Sequence, residues 1–294
     1  MHNLIEDSDT LLDKSVRSDG VVRRDFLKVA LGTGFAAAVV PVTAQTVIKT
    51  DSAGLSTGTF NITVNGQAVP VYRAAPEGKS NLPVLLVVSE IFGVHEHIAD
   101  VARRFARQGY LALAPDLFVR HGDASKPSSV ADLIKDIISK TPDAEVIADL
   151  DACVAWAKTN GGNVDKLAIT GFCWGGRITW LYSAHNPGVK AGVAWYGRLA
   201  GATNSINPRH PVDIAPGLKV PVLGLYGAQD TGIPLDSIEQ MKAALAQGSS
   251  KSAFVVYPDA GHAFNADYRP SYVEADAKDG FARALAWFKA NGAA

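Results

Sequence analysis

Cysteine is scarce in this chain: two in 294 residues, Cys153 and Cys173, allow at most one disulfide. They cannot build a metal cage without histidine or carboxylate help. A disulfide-stapled scaffold is excluded. A surplus of cations is missing as well, since 28 Lys and Arg face 29 Asp and Glu. Residues 1–44 hold five of the basic and six of the acidic side chains, so the remaining 250 residues hold 23 of each. With no Lys/Arg run in that body to displace phosphate counterions, nucleic acid is not expected as a partner. Also lacking is an apolar run of the roughly 20 residues needed to span a bilayer. What is present, 47% hydrophobic and 19% charged residues, is ordinary globular usage and excludes disorder over most of the chain.

The first 44 residues read as an address. Arg23 and Arg24 precede the apolar, small-residue stretch Val29 to Val42, and Val42 and Ala44 suit a signal-peptidase site. The pattern is that of a twin-arginine export signal. The expected mature chain starts near Gln45, with residues 45–58 as a Ser/Gly/Thr-rich connector and 59–294 as one domain. The expected location is periplasmic or secreted, with membrane anchoring as the alternative if the leader is retained. The export machinery is the one protein partner implied, and no obligate partner is expected beyond it.

Along the body, Thr59 to Val64 and Val69 to Arg73 flank Asn65-Gly66, a strong hairpin signal. Val84 to Val88 is a continuous apolar, β-branched run, as in a strand covered on both faces. Strands and helices then alternate: helix Ile98 to Gln108, strand Tyr110 to Ala114, helix Ala144 to Lys158, strand Leu167 to Thr170 and a helix near Arg177 to Ala184. Strands Ala191 to Tyr196 and Val220 to Tyr226, helix Pro234 to Ala246, strand Ala253 to Tyr257 and helix Ala275 to Ala290 complete the pattern. This predicts an α/β fold with a mostly parallel central sheet, helices on both faces and an N-terminal antiparallel hairpin. Gly201 to Gly217, rich in Pro, Asn and Gly, is long for a connection and reads as a site wall or a surface excursion.

Gly171-Phe172-Cys173-Trp174-Gly175 places a thiol between a predicted strand and a predicted helix, the arrangement of a nucleophile elbow. Glycines two places either side are needed because a Cβ there meets neighbouring backbone. The helix onset aims unpaired N–H groups and the positive dipole end at the sulfur. Asp230 follows strand Val222 to Tyr226 by a short turn, and His262 follows strand Phe254 to Tyr257. Nucleophile, acid and histidine in that chain order, at one edge of a sheet, match the α/β-hydrolases. Singly, Asp230 also reads as a turn residue before Thr231-Gly232 and His262 as a loop histidine.

Ser89 to Val94, Gly171 to Gly176, Asp230 and Gly261 to Phe264 together resemble the dienelactone hydrolase family, a resemblance covering nearly all of the body. It implies that Cys173 attacks an ester or lactone carbonyl, that His262 takes and returns the proton, and that Asp230 steers the imidazole. It also implies that Glu90 acts at the thiol, that the backbone N–H groups of Ile91 and Trp174 form the oxyanion hole, and that Tyr196 lines the pocket. Neither cofactor nor metal is expected. The best-known dienelactone enzymes carry an arginine for the substrate carboxylate four places after the histidine, where this chain has Ala266. Arg198, Arg209 and Arg269 are the candidates to replace it.

His95 and His97 read as loop or helix-start residues, and Arg103, Arg104 and the acidic stretch Glu274 to Asp279 as solvated helix faces. The expected activity is cleavage of a small ester or lactone through an acyl-cysteine. The rivals are a thioesterase or broad carboxylesterase with the same triad, and a non-catalytic binding or thiol-sensing protein on the same fold.

Overall fold

The computed structural model describes residues 48–294, so the expected twin-arginine leader and its expected cleavage point lie outside the described residues. Eight strands form one sheet in the order β1-β2-β4-β3-β5-β6-β7-β8. β1 (Leu55–Val64) and β2 (Gln67–Pro76) make the antiparallel hairpin, and β2 pairs antiparallel with β4 (Leu111–Pro115). Asn65 and Gly66 carry φ of 51° and 80°, the pair of positive values that matches a tight turn to the twist of its strands. From there on, β3 (Leu82–Val88), β4, β5 (Gly162–Phe172), β6 (Val189–Trp195), β7 (Val222–Gly227) and β8 (Ala253–Tyr257) pair in parallel. Successive residues of β3, β4, β6 and β7 are buried without alternation, so both faces of the sheet are covered, as the apolar runs predict.

The covering helices are α1 (Glu96–Arg107), α2 (Val130–Asp136), α3 (Asp143–Thr159), α4 (Trp174–His185), α5 (Pro211–Ile214), α6 (Leu235–Leu245) and α7 (Glu274–Ala290). Among the described residues no helix is long and apolar enough to cross a membrane. α2 was not anticipated: seven residues are too few for a periodic signal, although Ser129 caps it by accepting from the Asp132 N–H at 3.1 Å. β1 begins at Leu55, inside the expected connector, because its first residues already pair with the end of β2. The 201–217 stretch is pinned from below. Arg177 of α4 forks onto Asp143 of α3 at 2.6 and 2.7 Å and donates to the Arg209 carbonyl at 2.7 Å, while Asn207 donates to Asp143 at 2.9 Å.

Arg103 and Arg104 correct the expectation of a solvated face. Arg103 is bound to Glu96 and Asp100, and Arg104 reaches Asp100 and, at 3.0 Å, Asp267. Asp100 and Asp267 are both buried, which draws the two guanidiniums inward. Periodicity marks which positions are polar, not which polar positions have a buried partner elsewhere in the chain.

Candidate active site

The elbow is built by steric exclusion. Cys173 sits between β5 and α4 with φ 54° and ψ −116°, a strained left-handed conformation for a residue with a side chain. A Cβ on Gly171 would lie 2.2 Å from the Gly175 carbonyl oxygen, and one on Gly175 would lie 2.4 Å from that of Val88. Any larger residue at either place forces backbone apart, so the two glycines let the turn close and lift the thiol onto the N-terminus of α4. The Cys173 N–H donates to the Trp195 carbonyl at 3.0 Å, locking the bend to β6.

The acid and the base follow the ends of β7 and β8. His262 Nδ1–H donates to Asp230 Oδ2 at 2.7 Å, and the ring is also in hydrogen-bonding contact with the Cys173 side chain. Asp230 Oδ1 accepts from the N–H groups of Gly232 and Ile233 at 3.0 and 3.2 Å, so its turn-forming and imidazole-steering roles coexist on opposite oxygens. Burial works against a charged imidazole, but the carboxylate of Asp230 and the neighbouring sulfur outweigh it and raise the pKa of His262 well above its ordinary value, which makes the ring a stronger base. Cys173, Asp230 and His262 are thus brought together.

Glu90, buried just beyond β3, accepts a hydrogen bond from the Tyr268 hydroxyl. Arg269 lies with its guanidinium 4.8 Å from the centre of the Phe92 ring and 5.3 Å from that of Tyr268, in electrostatic reach of Cys173 and Glu90. Its Nε is buried and without a partner among the described residues. Tyr196 packs edge-on against His262 at 5.2 Å with φ 38°, and its buried hydroxyl is likewise unpartnered. Burial, reinforced by Glu90 and Tyr268, pushes that phenol far up, so it is a neutral donor. Ile91 and Phe92 pack with α2 and Trp174 in a small second apolar cluster beside the elbow.

Of the three arginine candidates, Arg269 is within electrostatic reach of the sulfur. Ala266 is fully buried, and turns in which Ala266 N–H bonds to Ala263 and Arg269 N–H to Ala266 fold the chain back toward Glu90. His97 is buried and bonded to Asp267 at 2.7 Å, and the ring nitrogens of His95 are buried beside Tyr268. Burial, with His97 and Arg269 nearby, keeps His95 neutral. Among the described residues no three His, Cys, Asp or Glu side chains are placed to hold a metal ion. Sequence reasoning missed Tyr268, which belongs to no spaced motif.

A model of the Dienelactone hydrolase family matches residues 69–292. A "Putative carboxymethylenebutenolidase" of Methylorubrum extorquens is 54% identical over 273 residues, covering 92% of this chain and 94% of its own length. A protein of the same description from Salmonella typhimurium is 55% identical over 257 residues, covering 87% and 95%. Among solved structures, the crystal structure of a "Putative Dienelactone Hydrolase" from Klebsiella pneumoniae superposes with a TM-score of 0.79 at 54% identity, covering 80% of this chain and 98% of its own.

Proposed function

Because the chain belongs to the dienelactone hydrolase family, a family of ester and lactone hydrolases, we propose that it cleaves a small ester or lactone through an acyl-cysteine intermediate carried by Cys173, His262 and Asp230. The observation that carries this reading is the single buried imidazole bonded to a carboxylate on one side and in contact with the elbow sulfur on the other. In the first half-reaction the sulfur attacks the carbonyl carbon while the thiol proton passes to His262. The resulting oxyanion is held by the N–H groups of Ile91 and Trp174. Collapse breaks the acyl–oxygen bond, and the leaving oxygen takes the proton from His262. Water then adds to the thioester and gives a proton to His262. The carbon–sulfur bond breaks, releasing the acid and returning the thiol.

Asp230 holds the tautomer and stabilises the imidazolium throughout. Tyr196 donates its hydroxyl to the substrate, and Arg269 takes the carboxylate that the arginine absent at Ala266 would hold in the best-known enzymes. The leader is an export signal delivering the enzyme to the periplasm or beyond.

Hydrolysis of p-nitrophenyl acetate and of a dienelactone by wild type, Cys173→Ala and His262→Ala tests the mechanism. Both variants should lose activity by about a thousandfold or more. Wild-type rates in both would refute it, and an inactive wild type would favour the binding protein.

A further inference from the structure

Residues 48–51, assigned to a connector by sequence, are fastened to the flank of the site. The Ile48 N–H donates to Asp267 Oδ2 at 3.0 Å, the Thr50 N–H donates to Asp100, and the Thr50 carbonyl accepts from Arg103 Nε at 2.9 Å. Asp267, 2% exposed, receives two further contacts, from His97 Nδ1 at 2.7 Å and Arg104 Nη2 at 3.0 Å. Burial pushes its pKa up, but His97, Arg104 and the Ile48 N–H together hold it below the usual carboxylate range, so it is ionised.

The two residues after Asp267 are Tyr268, bonded to Glu90, and Arg269, within electrostatic reach of the sulfur. The tract that carries them, 263–272, contains neither helix nor strand. Its local backbone bonds are single turns at Ala266, Arg269 and Tyr272, and the Val273 N–H donates to the Phe264 carbonyl at 3.0 Å, closing the tract into a loop. Between those tied ends the loop is held against the body by side-chain anchors, and Asp267 is the rear one. A buried carboxylate that loses a donor cannot recover it from bulk water, so it shifts toward its remaining partners and takes its neighbours along.

We propose that the Ile48 N–H, acting through Asp267, is a positioning group for the substrate-binding tract Tyr268–Arg269. The inference rests on the reading of Arg269 as the carboxylate-binding residue. It makes the segment before β1 part of the active-site architecture rather than a linker. It also predicts that loosening the segment weakens carboxylate-bearing substrates selectively, because the elbow and its imidazole are anchored elsewhere, on β5 to β8.

Ile48→Pro deletes the donor, and Ile48→Ala keeps it. The measurements are kcat and KM for a carboxylate-bearing dienelactone and for neutral p-nitrophenyl acetate, with amide hydrogen exchange over 263–272. Ile48→Pro should raise the KM for the lactone about fivefold as the competent arrangement becomes a minority state. It should leave the neutral ester within about twofold and speed exchange in the tract but not in the sheet. Ile48→Ala should match wild type. Unchanged KM in Ile48→Pro, with or without faster exchange, overturns the proposal, as does a KM rise without faster exchange in the tract or an equal loss on both substrates. Arg269→Gln, run in parallel, separates the two ideas. No rise in lactone KM there sinks the carboxylate role of Arg269 and this use of the tether. A rise there with wild-type behaviour in Ile48→Pro sinks the tether alone.

Discussion

Two free, buried thiols in one molecule have opposite chemical prospects. Cys153 is enclosed in α3 against the sheet, where burial drives its thiol far above the ordinary range and makes it inert. Cys173 stands at the elbow with an imidazole beside it. Native protein should therefore take up one equivalent of iodoacetamide, mapped to Cys173 by peptide mass, and a second only after unfolding. Two equivalents in the native state would contradict this contrast. The placements of Cys173, Asp230 and His262 were legible because each follows a recognisable strand end. The Tyr268 bond to Glu90 was not, because it joins residues 178 apart and a lone tyrosine carries no spacing signal.

Among the elements, strands were read most closely: β8 coincides with its expected span, and the hairpin follows from Asn65-Gly66. Helix α4 starts three residues earlier than expected, because the cysteine itself is its cap. Gly175 gives the elbow its sharpest test. A methyl group there has carbonyl oxygens of Val88 and Ser89 within 2.5 Å, and no flexible side chain can yield. Gly175→Ala should lower stability by about 2 kcal/mol or more, seen as a lower urea midpoint, and should lose activity. Gly58→Ala, in open space on β1, should change neither.

At the scale of the whole molecule, acid should weaken the fold partly through Asp267. Its carboxyl is held below its ordinary range in the folded state, so its share of stability is complete above about pH 4 and is lost as pH falls through the lower folded value. Asp267→Asn should therefore be less stable than wild type at pH 7, and the gap should narrow by pH 3 in urea titrations. A gap that widens toward acid would contradict the assignment. The export reading is checked separately: protein recovered outside the cytoplasm should begin at Gln45 on N-terminal sequencing, and an intact leader would refute cleavage there.

The order of strands also sets when a growing copy becomes competent. Glu90 emerges from the ribosome early, yet its hydroxyl partner is made 178 residues later, and the Ile48 N–H waits 219 residues for Asp267. A translation product that stops before residue 268 lacks the phenol, and one that stops before 262 lacks the histidine as well, so the site is complete only when little more than the last helix remains to be made.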